Sequence, residues 1–329
     1  MDIQMVYMLV GFTLAAYAIV ANDAIQTLGT FLSSNAHRPW WVLWLFAMSI
    51  LSVTLIYGFY ANGGDVSYGR LTKFPPPETF SWIYILPPLF ILFLTRFGIP
   101  VSTTFLVLTV FTTANFEKML TKSLLGYLVA FVVAILLYRF VLAAVEKYFI
   151  KSSDEVVPAP YWVVLQWVST GFLWSQWLIQ DLANIYVYAP SVGFNEEGVR
   201  IISSGWLWGS LLWFGLLHAY IFYNRGGQIQ KIVTSKTNTA DIRSATIVDF
   251  TYGIILLVFK ELSNIPMSTT WVFLGLLAGR EFAIAWVTQL RKSSDVLKVV
   301  GSDAGKALIG LAVSVAIAFS APYLKAIFE

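Results

Sequence analysis

Six hydroxyls in this chain are written in two matching blocks. Ile99-Pro100-Val101-Ser102-Thr103-Thr104 returns as Ile265-Pro266-Met267-Ser268-Thr269-Thr270. Proline is pre-set for the first helical position, so Pro100 and Pro266 are each expected to open a helix. The hydroxyls of Ser102, Thr103, Thr104, Ser268, Thr269 and Thr270 would then sit with unpaired N–H groups at a positive helix end. That chemistry suits the oxygens of a tetrahedral anion. Upstream of each block lies a carboxylate among amides: Asn22, Asp23 and Gln26 in one case, Gln180, Asp181 and Asn184 in the other. Carboxylates and carbonyl oxygens suit a hard cation such as sodium, with Asp23 and Asp181 as its ligands. A cation and an anion held side by side lower each other's desolvation cost, a physical basis for symport.

Each piece alone has a plainer reading. A single Pro-x-Ser-Thr-Thr in a membrane helix reads as a kink whose hydroxyls bond back to the preceding turn. A single Asp23 reads as an interfacial residue. Two copies of the same pair of features favour the functional reading. Elsewhere, Asp249 is assigned to an interface, and Lys260-Glu261 and Arg280-Glu281 to local charge pairs or snorkelling helix ends. His218 is assigned to helix packing, and Trp40, Trp41, Trp44, Trp206 and Trp208 to interfacial belts and packing.

The elements that must carry these residues follow from composition. The 329 residues are 58% hydrophobic and 12% charged, and mean hydropathy is +0.72. Soluble domains carry about 25% charged residues, so the chain is expected to be an all-α polytopic membrane protein. A net charge of +3 is too small to imply nucleic acid. The absence of cysteine excludes disulfides and thiolate chemistry, and two histidines, His37 and His218, make a histidine metal centre a poor fit. Met1 to Met8 has no basic n-region and reads as the lead into a retained helix.

A spanning helix needs about 20 mostly apolar residues. Spans are expected at 5–21, 40–60, 80–95, 100–113 and 124–145, the first ending in a polar break at Asn22-Asp23. After a polar linker the pattern restarts with spans at 161–179, 201–223, 245–259, 266–290 and 308–328. Asp23 precedes Ser102 by 79 residues and Asp181 precedes Ser268 by 87, which marks an internal repeat with a small insertion. The expected division is 1–146 for the first repeat, 147–160 for a cytoplasmic linker carrying Lys147, Lys151, Asp154 and Glu155, and 161–329 for the second repeat.

Five spans per half invert the second half relative to the first. Loop charge agrees: Arg225, Lys231, Lys236 and Arg243 fall inside, and the partner loop of Arg70 and Lys73, offset by Asp65 and Glu78, falls outside. Arg38, Lys147, Lys151, Arg291, Lys292, Lys298 and Lys306 join the inner set; Lys118, Lys122 and Arg200 join the outer one. Both termini are expected outside. In inverted-repeat transporters the polar breaks of the two halves meet near the bilayer midplane.

These motifs resemble the inorganic phosphate transporter (PiT) family. Its repeats each carry Asn-Asp-x-Ala-Asn-x-x-Gly-[Thr/Pro] followed by Gly-Ile-Pro-Val-Ser-Thr-Thr. Asn22-Asp23-Ala24-Ile25-Gln26-Thr27-Leu28-Gly29-Thr30 matches the first with Gln26 for the second asparagine. Gln180-Asp181-Leu182-Ala183-Asn184 matches with Gln180 for the first, and its trailing Gly-Pro becomes a displaced Ala189-Pro190. Gly98 through Thr104 is intact, whereas Asn264 replaces the glycine of the second copy. The resemblance implies secondary active transport of an inorganic oxyanion, usually driven by sodium and sometimes by protons. By it, the Ser-Thr-Thr hydroxyls, with Asn22 and Gln180, would hold the anion. Asp23, Asp181, Asn184 and Gln26 would serve the cation and coupling.

One departure bears on substrate. The family's glutamate in the helix after each Asn-Asp signature has no counterpart in 40–60 or 201–223, which hold no acidic residue. The polar domain some relatives insert between halves is also missing. Phosphate leads the expected substrates, with sulfate, bicarbonate or another anion, and proton coupling, as the alternative. The expected cycle is alternating access in the plasma membrane, one repeat rocking against the other, with no cofactor beyond the coupling cation. A channel would need a continuous polar lining, and an enzyme a base beside a nucleophile; neither pattern is present. A non-transporting receptor on the same fold and a homodimer are both left open.

Overall fold

The computed structural model describes residues 2–152, 157–195, 198–262, 266–289 and 292–328. Asp154 and Glu155 of the linker, Asn264 and Ile265 of the second motif, and Arg291 lie outside the described residues. The chain is a polytopic helical membrane protein. Among the described residues, seven helices are long and apolar enough to cross a membrane.

Helix α1 (Ile3–Ser34) starts where the Asp2 carboxylate accepts the Gln4 N–H. It does not end at the expected polar break. A π-turn, Val20–Ala24, takes up one extra residue and the helix runs on for ten more. Such turns distort a helix without ending it, because each N–H still finds a carbonyl five residues back. Helix α2 (Trp40–Ala61) follows, and a loop over 62–81 carries the 3₁₀ turn Arg70–Lys73. Helix α3 (Trp82–Arg96) is short and opens with a 3₁₀ turn ahead of Pro87 and Pro88.

The expected fourth span is the largest departure. Thr104–Leu108 is a π-turn and Thr109–Phe111 one further helical turn. At 1.5 Å per residue this half-helix is far shorter than the bilayer core of about 30 Å. Helices α4 (Phe116–Val141) and α5 (Ala143–Ser152) close the first half. Lys147 and Lys151, read as part of the linker, lie within α5.

The second half holds α6 (Tyr161–Asp181), the turn α7 (Ala183–Tyr186), a two-stranded hairpin (Gly193–Phe194 with Arg200–Ile201) and α8 (Ser204–Tyr223). Then come α9 (Gln230–Thr234), α10 (Ile242–Leu262), α11 (Thr269–Thr288) and α12 (Ser293–Phe328).

The packing follows a pseudo-two-fold pattern. Helix α1 packs on α3 as α6 packs on α10, and α2 packs on its own counterpart α8. There the Trp44 indole donates to the Gly215 carbonyl at 2.9 Å. The halves also exchange elements: α11 packs along α4, and the half-helix of the first repeat packs along α12. The two halves are therefore interleaved. At the α4–α11 crossing, a Cβ on Gly275 would lie 2.3 Å from the Tyr127 carbonyl, and one on Gly279 would lie 2.2 Å from that of Phe131. This Gly-x-x-x-Gly spacing lets two backbones touch.

Several polar contacts join loops and helix ends that the charge pattern assigns to one side. Arg225 donates to the Arg38 carbonyl, Arg243 to Ser152 and Phe149, and Lys236 pairs with Asp303, all assigned inside. Asn115 donates to the Lys73 carbonyl and Arg200 to that of Phe74, both pairs outside.

Candidate functional site

Serine, not proline, sets the start of each motif segment. The Ser268 hydroxyl accepts the Trp271 N–H at 3.3 Å and N-caps α11; Ser102 accepts that of Phe105 at the same distance. Pro100 and Pro266 consequently lie before their helices. The N–H of Ser268 is also engaged, donating to Ser123 of α4 at 2.8 Å. Each serine hydroxyl has spent a lone pair but keeps its proton to donate.

The two segments meet and cross-bond. Thr104 Oγ1 shares its proton between the Met267 carbonyl and Asp181 Oδ1, both at 3.2 Å. Thr270 Oγ1 donates to the Val101 carbonyl at 3.1 Å. Asn22 donates to that same carbonyl at 2.8 Å and to Asp23 Oδ1 at 2.5 Å. The Thr103 hydroxyl donates to Asp23 Oδ2. Asn184 Nδ2 reaches Asp181 Oδ1 at 2.9 Å and both Thr103 and Thr104 at 3.1 Å. Gln26 stands in the matching place, 3.5 Å from Asp23 Oδ1. Gln180 departs from the pattern and donates to the Leu256 carbonyl of α10 at 3.1 Å. Thr269 borders Asp181, and its carbonyl accepts the Tyr252 hydroxyl at 2.9 Å. All twelve residues singled out in the sequence are buried within this one cluster.

Both aspartates sit where their helices lose regular α geometry: Asp23 in the π-turn, Asp181 at the end of α6 ahead of α7. Their hydrogen bonding differs. Asp23 has donors on both oxygens, whereas Asp181 Oδ2 has none. Gln26 Oε1, Gln180 Oε1 and Asn184 Oδ1 are likewise buried without a donor. Unpaired buried acceptors cost free energy unless something fills them. A set of one carboxylate and three amide oxygens matches the ligand preference of a hard cation.

Comparison with known proteins bears on the fold. No family model matches the sequence, and no curated protein matches it. Among solved structures, a chain described as the sodium-dependent phosphate transporter aligns over 100% of both chains, with a TM-score of 0.62 and 15% identity. This chain shares that transporter's fold. The likeness spans both halves of the chain.

Within the transporter fold, two polar features lie where the sequence reading did not put them. Asp249, assigned to an interface, is 1% exposed. It accepts hydrogen bonds from Thr30 of α1, and from Thr170 at 2.5 Å and Gln166 at 3.3 Å, both of α6. All of these donors come from other helices. Arg280, read as half of a local pair, is wholly buried and bonds Glu146 of the first half at 2.6 Å and the Thr237 carbonyl at 2.6 Å. The expected local pair of Arg280 with Glu281 does form, at 3.6 Å, and Glu281 accepts hydrogen bonds from Thr237. Lys260 and Glu261 do form a local pair, at 3.3 Å. His218 packs against Trp174 and bonds the Phe214 carbonyl.

Sequence reading also passed over Arg70. It lies in the 62–81 loop yet is only 2% exposed, and its Nη1 has no partner. Burial pulls its guanidinium down to about 10, against which the charges of Asp181 and Glu261 act. The available signal was Gly63-Gly64-Asp65 ahead of it. The Asp65 carboxylate accepts the N–H groups of Ser67 and Gly69 and folds the loop inward.

Proposed function

We propose that this chain is a secondary active transporter that couples inward movement of an inorganic oxyanion, phosphate first among candidates, to a cation gradient, sodium before protons. The observation that carries the proposal is the crossing of the two Ser-Thr-Thr segments between Asp23 and Asp181. One buried cluster thus combines hydroxyl donors with acceptors that lack a donor. The structural neighbour, a sodium-dependent phosphate transporter, supports the same pair of ions.

In this reading Asp181, Asn184, Gln26 and Gln180 receive the cation, with Asp23 linked to them through Thr103 and Asn184. The cation draws Asp181 away from Thr104, whose hydroxyl then turns with those of Ser102, Thr103, Ser268, Thr269, Thr270 and the Asn22 amide toward the anion. Cation binding thus releases anion donors, which is coupling in local terms. Alternating access moves bundles that mix both halves, since α4 travels with α11 and α12 with the half-helix. The plasma membrane is the setting in which such uptake would run.

The test is uptake of labelled phosphate, sulfate and bicarbonate into proteoliposomes holding the full chain, with an inward sodium gradient, a proton gradient or neither. Accumulation above the external concentration under sodium is expected, and for one anion far more than the others. Uptake that only equilibrates under every gradient would overturn the transporter reading in favour of a channel, and no uptake would favour a receptor.

A further inference from the structure

Buried arginines in this chain are otherwise tied down. Arg200 donates to the Val187 carbonyl at 3.0 Å and the Phe74 carbonyl at 2.6 Å. Arg280 holds Glu146 and Thr237 and packs on the Tyr138 ring. Arg70 is the exception: among the described residues, no side-chain hydrogen bond or ion pair satisfies it, and its Nη1 is sealed from solvent. A bare guanidinium in such a place is expensive, because charge is desolvated without repayment.

Its setting deepens the anomaly. Lys122 of α4 is close enough for its charge to act on Arg70, so two cations face each other. The carboxylates within electrostatic reach of Arg70 are Asp181, inside the candidate site, and Glu261, which is already paired with Lys260. Nor is the loop a loose strap that happens to fold in. Asp65 takes hydrogen bonds from Ser67 and Gly69, Tyr68 donates to the Thr54 carbonyl at 2.6 Å, and the Gly64 carbonyl accepts the Ile202 N–H at 3.1 Å. Gly69, at φ +76, makes the turn that delivers Arg70.

We propose that Arg70 is a resident cation of the translocation site, held unpaired to bind a doubly charged inorganic oxyanion beside Asp181. The inference rests on the transport reading above and narrows it from oxyanions in general to dianions. The electrostatics favour that narrowing. Helices α2 and α8 bring no carboxylate, so the fixed charges close to the site are the carboxylates of Asp23 and Asp181 and the cations Arg70 and Lys122. A guanidinium offers a planar fork of donors matched to two oxygens of one anion. With one positive charge built in, a dianion needs one fewer co-bound cation to be neutralised. Arg70 also repels a cation at Asp181 when no anion is present, so the two ions would bind better together than apart.

The experiment is calorimetric titration of the purified full chain with sulfate, whose charge is constant across the working pH range. Chloride serves as the monoanion, and sodium is also titrated without sulfate. For R70Q, sulfate affinity should fall about 10- to 100-fold, while sodium affinity without sulfate should rise about threefold. R70K should keep most of the sulfate affinity. A merely structural arginine would not tighten sodium. If R70Q does not fold, R70H answers the same question within one protein. Its sulfate affinity should drop more steeply as pH rises through the imidazole range than that of the unsubstituted chain, in which Asp181 and Lys122 are the titratable groups beside Arg70. Sulfate binding unchanged in R70Q, or no steeper with pH in R70H than in the unsubstituted chain, overturns the assignment and leaves the transport reading standing. Failure of the unsubstituted chain to bind sulfate or phosphate at all overturns both.

Discussion

Thr104 and Thr270 exchange partners across the two halves of the chain. Each hydroxyl donates to the backbone carbonyl three residues before the other: Thr104 to Met267 and Thr270 to Val101. Residues that occupy equivalent places in two repeats thereby bond reciprocally, as the same patch does across a two-fold dimer. Replacing Thr104 by valine keeps the shape and strands the Met267 carbonyl, whereas in T270V the Val101 carbonyl keeps the Asn22 amide as its donor. T104V should cost about 1–3 kcal/mol of stability, read as a lowered unfolding temperature in detergent, and T270V should cost less. T104V should in addition strengthen sodium binding, because the proton it removes competes for Asp181.

Asp23 and Asp181 are both expected to be needed for coupling, by different routes. D23N and D181N should each abolish gradient-driven accumulation in proteoliposomes while the purified proteins stay folded. Direct sodium titration should separate them: D181N removes the carboxylate oxygen that has no donor and should lose sodium binding. D23N removes a hydrogen-bonded carboxylate and should weaken it by about tenfold. Concentrative uptake retained in both variants would sink the coupling assignment.

The buried pair of Arg280 and Glu146 joins α11 to α5 and should matter to assembly more than to ion binding. Removing one partner leaves an uncompensated charge, at a cost of about 3–5 kcal/mol. R280M and E146Q should therefore lower the yield of folded protein sharply. The double variant should recover part of the loss, which a thermal-unfolding cycle on all four proteins would measure.

Overpacking at the crossing of α4 and α11 should be equally selective. A methyl group on Gly279 meets backbone, which has little room to yield, so G279A should destabilise by about 1–3 kcal/mol or more. Gly209 on α8 has open space around its missing Cβ. G209A should accordingly leave the unfolding temperature unchanged or slightly raised.

The features legible in the sequence were those written twice. Repeated Ser-Thr-Thr and Asp motifs, their spacing and loop charge lead to a two-halved membrane bundle with one polar centre, and all twelve residues so named fall in one cluster. What stayed hidden depended on contacts between distant segments. Asp249 looks the same in sequence whether it faces solvent or Thr30, 219 residues away. Arg280 beside Glu281 reads as a local pair, since nothing in sequence points to Glu146, 134 residues earlier. Arg70 was counted only as loop charge, because hydropathy cannot tell an inward-folded loop from an outward one. The half-helix at Thr104 was overcalled as a span for a related reason: its apolar residues are buried against protein, not lipid.

Interleaving has a consequence for how the chain is made. Helix α4 leaves the ribosome well before its main partner α11, which is encoded more than a hundred residues later. At synthesis rates of about 5–20 residues per second, the delay is on the order of ten seconds. Throughout that interval the groove on α4 around Gly126, Ala130 and Ala134 stands open to lipid or to the insertion machinery. The first half must therefore wait as an inserted but unfinished assembly, and its completion is timed by the arrival of Gly275 and Gly279.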